Sequence, residues 1–252
     1  MTIAYQLYSS RNFGPLSELF ERLAGIGYTA VEGYGDLFAT RAEEIAGLLS
    51  ANGLAMPSCH VGLDLVEGDP DRVIDTARKL GVSAVFVPFL MPDDRPRDAE
   101  GWRAFGQRLE QAGAPLRVAG LAYGWHNHDF EFRPLPDGTR PIEAMLEGTT
   151  FGLELDVAWV ARAGEDPLPW LDRLASRLLA AHVKDIAPEG EKTDEDGWAD
   201  PGEGVMDWPA IGARLSALGV DHWVVEHDNP SDDSRFARTA LAFAKRLKGE
   251  TR

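Results

Sequence analysis

Residues 121–128 read LAYGWHNH, and the way this run ends decides the fold. An apolar, strand-like segment gives way at once to His126, Asn127 and His128, and Asp129 and Glu131 follow within three residues. The whole chain has only six histidines. Gathering two of them with two carboxylates at the C-terminal end of a strand is the pattern of an α/β barrel, where chemistry collects at that end of each strand.

Working outward, similar apolar runs recur at intervals of about 30 residues, the length of one strand–helix unit. Before the quoted stretch they are IAYQLYS from Ile3, YTAVEGY from Tyr28, AMPSCHV from Ala55 and SAVFVPF from Ser83. After it come FGLELDVAW from Phe151, LLAAHVKD from Leu178 and HWVVEHD from His222. Helical patterns lie between them. Leu16, Leu19, Phe20 and Leu23 recur at helical spacing and stop at Gly25 or Gly27. Thr40 and Glu43 read as a capping box before Ile45, Leu48 and Leu49. Asp69-Pro70 reads as an N-cap with a first-turn proline, with Gly81 as the stop. Asp207 and Pro209 open a further helix that ends at Gly219, and Phe236, Ala240, Phe243 and Leu247 mark the last one.

Eight strands alternating with helices imply parallel pairing and right-handed crossovers. The expected fold is therefore a (β/α)8 TIM barrel in a single domain, residues 1–252. A doubly wound sheet is the alternative, but its ligand signature, a glycine-rich first turn, is missing from SSRNFG at Ser9–Gly14. The longest excursion, Ala187 to Met206, carries many charges and Trp198 and reads as a lid over the barrel mouth.

Composition narrows the partners. A net charge of -16 repels phosphate backbones and anionic lipid surfaces, so neither nucleic acid nor membrane is expected. The one cysteine, Cys59, allows no intrachain disulfide. MTIAYQLYSS lacks the basic start and long apolar core of a signal peptide. A cytoplasmic protein is expected, and a homo-oligomer is compatible with the sequence.

Strand period two puts His126 with His128, Glu154 with Asp156, His182 with Lys184, and Glu226 with Asp228 on shared faces. The intervening Leu155, Val183 and Val225 are apolar and suit the helix side. Carboxylates crowded in one barrel mouth need a cation. Lys184 offsets one charge, and a divalent ion with mixed imidazole and carboxylate ligands would offset two. His222 lies at the wrong end of its strand for this site, and His227 has the wrong parity. His60 has the right end of its strand.

Taken in order, YQLYSSR, WHNHDFEF, ELDVAWV, AHVKD, PGEGVMDW and VVEHD resemble the sugar phosphate isomerase/epimerase family, whose fold is the xylose isomerase-like TIM barrel. The resemblance spans nearly the whole chain and is more specific for superfamily than for reaction. It implies one divalent ion (Mn, Co, Zn, Mg or Fe) held by one residue from each of strands five to eight. Asp156, His182 and Glu226 carry over directly. The fifth strand ends in histidines where the family has glutamate. Glu131 is assigned as the fourth ligand, with His126 or His128 as substitutes. The resemblance implies proton abstraction beside a carbonyl through an enediolate, with His128, His126 or Glu226 moving the proton and Lys184 holding a substrate oxygen or assisting a leaving hydroxyl. His60, Trp159, Trp198, Glu154 and Arg11 are the candidate substrate-binding residues, with Glu154 alternatively supporting the metal or pairing within the barrel.

The expected activity is thus a sugar or keto-sugar isomerase or epimerase, manganese being one candidate metal. A metal-dependent lyase or dehydratase acting on a keto-sugar or inosose shares the first step. A metal-free sugar-binding protein and an endonuclease of the same superfamily are the remaining readings. The second is opposed by the charge and by too few well-placed histidines.

Overall fold

The computed structural model of the protein describes residues 2–249; residue 1 and residues 250–252 of the expected domain lie outside them. Eight parallel strands form a closed barrel: β1 (Thr2–Gln6), β2 (Ala30–Gly33), β3 (Ala55–His60), β4 (Ala84–Val87), β5 (Ala122–His126), β6 (Gly152–Asp156), β7 (Leu178–Val183) and β8 (His222–Val225). Closure comes from β1 pairing with β8, from Thr2↔His222 to Tyr5↔Val225. This excludes the open doubly wound sheet and establishes the (β/α)8 arrangement.

Side chains alternate along each strand. Those facing outward, such as Tyr5, Val31, Val85, Trp125, Leu155, Val183 and Val225, join the helices in one continuous core. Ala4, Ala30 and Val224 point into the barrel and form a separate small cluster there. Above these small residues, the same inward-facing rows turn polar at the C-terminal ends of the strands. A barrel built this way has an apolar outer layer to hold it together and an upper interior free for chemistry.

The helix boundaries follow local chemistry. Asp69 caps Pro70–Leu80 by accepting from Arg72 N at 3.1 Å, and Gly81 ends it with φ 73°. Asp207 caps Trp208–Ala217 through Ala210 N, and Gly219 follows with φ 74°. The capping box expected at Thr40 and Glu43 does not form. Thr40 instead ends a short helix, Gly35–Thr40, and the next helix, Ala42–Asn52, has Arg41 as a cap without a side-chain hydrogen bond. Arg41 pairs with Glu44 at 2.6 Å across the first turn.

The excursion after β7 is pinned rather than free, which corrects the lid expectation. Asp185 pairs with Ala199 and Ile186 with Trp198 in a short antiparallel ladder. The Asp185 carboxylate accepts from Gly202 N at 2.8 Å, Ile186 N at 2.9 Å and Met206 N at 3.1 Å. Gly204 packs so close that a Cβ there would lie 2.2 Å from Asp185 Oδ1. Glu195 and Asp200 are both buried, and Arg235 of the C-terminal helix, Asp233–Leu247, binds both. Trp198 is 1% exposed. Its ring meets Trp159 edge-on with centroids 4.7 Å apart, and the Arg162 guanidinium lies 3.5 Å over it. A tryptophan in a polar loop becomes buried here because the loop folds back onto the barrel.

Candidate active site

The inward polar residues of six strands meet in two layers. Register makes the neighbours: Gln6 lies beside Glu32, His126 beside Glu154, and Asp156 beside His182. Asn127, between the two histidines, faces the other way and ties β5 to β6. Its Oδ1 accepts from Asp156 N at 3.0 Å and its Nδ2 donates to Asp156 O at 3.1 Å. This clamp fixes His126 against the end of β6.

The upper layer contains His126, Asp156, His182 and Glu226, each offering one ligand atom within 4.8 Å of the others. His182 Nδ1 is 2.9 Å from Glu226 Oε2 and 3.7 Å from Asp156 Oδ2. Asp156 Oδ1 is occupied, accepting from Ala158 N at 2.9 Å and Trp159 N at 3.0 Å at the start of the helix Val157–Arg162. Its Oδ2 is buried without a hydrogen-bond partner. Two carboxylates, two imidazoles and one unpartnered buried oxygen suit a divalent ion such as Zn or Mn. The Lys184 ammonium lies beside this position, 2.9 Å from Glu226 Oε2, 3.3 Å from Asp156 Oδ2 and 2.6 Å from Asp228 Oδ2.

The lower layer contains Glu32, His60 and Glu154. Glu154 Oε2 lies 2.6 Å from His60 Nε2, 3.1 Å from His182 Nε2 and 3.3 Å from His126 Nδ1. Glu32 Oε1 accepts from Gln6 Nε2 at 2.7 Å and sits 3.1 Å from His182 Nε2.

Charge settles the protons. Burial alone would raise Glu154 and Glu226, but the facing imidazoles, with Lys184 beside Glu226, hold both well below the usual carboxylate range. Burial and the nearby Glu154 charge push Glu32 up to about 7. Burial would lower His182, yet Glu154 and Glu226 raise it well above the ordinary imidazole value. His126 has moved the other way, down to about 4, through burial and the neighbouring His182. His128 is held well below its usual value by burial, His126 and Lys184, so it is neutral at pH 7. The Lys184 ammonium is kept charged by Asp228, Glu226 and Asp156 against the cost of its burial.

Above the two layers opens a pocket of about 400 Å3. His60, His126, His128, Glu226 and Asp228 line its floor and one side, with Tyr8, Tyr34 and Phe89 among its walls. Phe89 meets His128 edge-on at 5.0 Å. Trp159 reaches His128 from the far side, also at 5.0 Å between ring centroids.

The expected Asp156, His182, Glu226, His126, His128 and His60 converge here, whereas Glu131 lies elsewhere and the expected substrate-binding Arg11, Glu154, Trp159 and Trp198 do not line the pocket. Glu131 is not in the cluster. Its Oε1 accepts from Trp125 Nε1 at 2.7 Å and its Oε2 from His128 N at 3.0 Å. Trp125 faces the helix layer, one residue out of phase with His126, so a carboxylate bonded to it lies behind β5 rather than over the mouth. His126 is the fifth-strand member of the cluster. Arg11 is exposed and bound to its surroundings, donating to Tyr8 O and Asp228 O and stacking 3.9 Å over the Tyr8 ring. Glu154 sits beneath the pocket and does not line it. His222 bonds Ser58 Oγ at 2.8 Å from the lower end of the barrel. His227 is buried on the outer side, 5.5 Å from the Phe236 ring.

Gln6 and Glu32 are the residues that sequence reasoning passed over. Both sit in runs that are otherwise apolar, YQLY and AVEG. The available signal was a lone polar residue at the inward parity near a strand's C-terminal end. Asp228, recognised as strand-end polarity but given no role, proves to be the shortest partner of Lys184.

Comparison with known proteins agrees with this architecture. The family model described as xylose isomerase-like TIM barrel matches residues 20–247. The rhizopine catabolism protein MocC of Rhizobium meliloti is 27% identical, over 84% of this chain and 74% of that one. An inosose dehydratase of Lacticaseibacillus casei is 23% identical over 53% of this chain, which spans only about half, 49%, of that relative. Among solved structures, a sugar phosphate isomerase/epimerase from Parabacteroides distasonis superposes with a TM-score of 0.80 at 22% identity, over 96% of this chain and 93% of that one. The IolI protein, solved with a zinc atom, gives 0.75 at 17% identity over 99% of both chains. With a closed eight-stranded barrel and a family match over most of its length, the chain belongs to the xylose isomerase-like TIM barrel family.

Proposed function

We propose that the protein is a divalent-metal-dependent isomerase or epimerase of an unphosphorylated sugar or keto-sugar, abstracting a proton beside a carbonyl. The observation that carries this reading is the convergence of His126, Asp156, His182 and Glu226 beneath a pocket with aromatic walls. A divalent ion held by these four residues would supply Lewis acidity to the substrate carbonyl and lower the barrier to removing the neighbouring proton.

The protein's own groups do the rest. His128 is neutral, faces the pocket and can accept the proton from the substrate carbon. Returning that proton to the opposite face of the same carbon gives an epimer, and returning it to the adjacent carbon gives an isomer. Tyr8 and Phe89 offer flat surfaces for the C–H face of a sugar ring. Among the described residues no lysine or arginine lines the pocket, while Glu226 and Asp228 do. A phosphate group would meet carboxylates there, which favours a neutral substrate.

A dehydratase is the second reading, favoured by Lys184 and Asp228. Asp228 lines the pocket and holds the buried Lys184 ammonium at 2.6 Å, a positive charge that would stabilise a departing β-hydroxyl. The inosose dehydratase relative supports the same reading.

The test is metal analysis followed by isotope exchange. Wild type, Asp156→Asn and Glu226→Gln are reloaded with Mn and assayed for bound metal. Wild type is expected to hold about one ion and both variants to lose it. Wild type is then incubated in deuterated water with ketoses, keto-sugars and inososes. Deuterium in recovered isomer supports the first reading, and an unsaturated product without isomer supports the second. Wild type that takes up no metal under any loading leaves a metal-free binding protein as the reading.

A further inference from the structure

The pinned segment after β7 reaches the site without lining its pocket. Ile186 pairs with Trp198 in the short antiparallel ladder, and that pairing brings an indole from residues 187–206 to the Lys184 side chain. The Lys184 ammonium lies 4.5 Å from the centroid of the Trp198 ring and 5.1 Å from that of Trp159. The two indoles meet edge-on, and Lys184 and Trp198 are both buried. Trp198 is itself braced: the Arg162 guanidinium lies 3.5 Å over its ring and donates to Asp196 O at 2.8 Å. The same ammonium lies 2.6 Å from Asp228 Oδ2, 2.9 Å from Glu226 Oε2 and 3.3 Å from Asp156 Oδ2. A lysine ammonium is a compact charge on a flexible four-carbon stem, and carboxylates attract it without fixing the stem. Rigid indole faces attract the cation through the ring quadrupole, keep water from it and bar its chain from swinging aside. Such a contact is strongest where it is desolvated, as at this buried lysine.

Resting on the reading above in which the Lys184 charge stabilises a departing oxygen, we propose that Trp198 is a positioning residue for Lys184. It holds the ammonium against Asp228, which lines the pocket, and so makes the segment 187–206 a working part of the site. Trp159 completes the wall from the first turn of the helix Val157–Arg162. Trp198 acts only through Lys184 and touches neither the substrate nor the reacting atoms.

The experiment is NMR of the lysine side-chain ammonium groups in the whole chain equilibrated with Zn(II), the Lys184 signal being assigned by its absence from Lys184→Met. An exposed ammonium exchanges its protons too fast to be seen near neutral pH, whereas a buried, hydrogen-bonded one is observed. Wild type is expected to show the Lys184 signal displaced upfield by the two indole rings. Trp198→Leu is expected to lose that displacement and to broaden the signal, with its circular dichroism retained. Trp198→Phe, which restores a ring face, is expected to recover the slow exchange. If Trp198→Leu does not fold, Trp198→Phe is read in its place, and a Lys184 signal shifted from the wild-type position is expected. On any sugar of the panel that wild type processes, Trp198→Leu is expected to lower kcat with KM little changed, and adding it to Lys184→Met is expected to cause no further loss. A Lys184 signal unchanged in a folded Trp198 variant overturns the inference, as does a wild type without an observable Lys184 signal. Losses in kcat that multiply in the double variant also overturn it. An indole-displaced signal that Trp198→Leu abolishes, in a protein that processes no sugar, supports the positioning and removes the reading it serves.

Discussion

A single methylene of reach, or a single residue of parity, decides what each carboxylate of this site does. Asp156 and Glu154 lie two residues apart on β6 and face the same interior, yet one bounds the upper layer and the other underlies it. Glu131 shows the opposite outcome: a glutamate in the right segment is captured by Trp125 on the helix side. Its position was not legible because strand parity ends with the strand, and nothing in DFEF says which side a loop carboxylate will take. Burial pushes the Glu131 carboxyl up to about 8, from an ordinary value near 4.5. A carboxyl raised in the folded state favours folding while protonated. That contribution is complete below the unfolded value and is lost as pH rises through about 8. Glu131→Gln is therefore expected to gain stability relative to wild type as pH rises from 5 to 9, as measured by urea denaturation, with metal content unchanged. His128→Gln is expected to keep its metal and to lose about 10²–10⁴-fold in solvent-deuterium exchange into substrate. An equal loss of metal would place His128 among the ligands instead.

Among the elements, the strands were the most legible part of the fold. Each of the eight apolar runs became a barrel strand because alternation, length and flanking turns all agreed. The caps at Asp69 and Asp207 were legible for the same reason. Each is an acidic residue before a proline-containing first turn. The segment 187–206 was not, since its polarity suggested solvent while two of its carboxylates, Glu195 and Asp200, are buried against Arg235 and Asp185 holds its backbone. Asp185 holds three backbone N–H groups at 2.8–3.1 Å. Asp185→Ala is expected to cost about 2–4 kcal/mol, because it leaves those donors without their acceptor. It should also open the segment to limited proteolysis near Gly190, with the barrel intact by circular dichroism. A variant as resistant as wild type would mean that the ladder and Arg235 suffice alone.

Taken whole, the barrel separates its structural and chemical halves. The outer core of strands and helices is apolar and continuous, and the acidic, imidazole-rich interior rests on small residues such as Ala4 and Ala30. The fold and the site's general place were legible from this division, while the two-layer order within the site was not. Register places Gln6 beside Glu32, but only barrel closure brings that pair against His182. Among the described residues no helix is long and apolar enough to cross a membrane. If the upper layer takes a divalent ion, saturation at about 100 times the Kd adds about 2.7 kcal/mol to stability. For a chain of this size that is a rise of about 5–10 °C in Tm. Chelation is expected to reverse the rise without changing the far-ultraviolet spectrum. Loss of the folded signal on chelation would show that the barrel needs the ion to form.

The Lys184 ammonium, lodged among Asp156, Glu226 and Asp228, explains why the fold should survive that chelation. The chain carries its own counter-ion for the carboxylates it buries. If the upper layer takes a divalent ion, folding would then not wait on it, and the apo barrel would stand ready to be loaded afterwards.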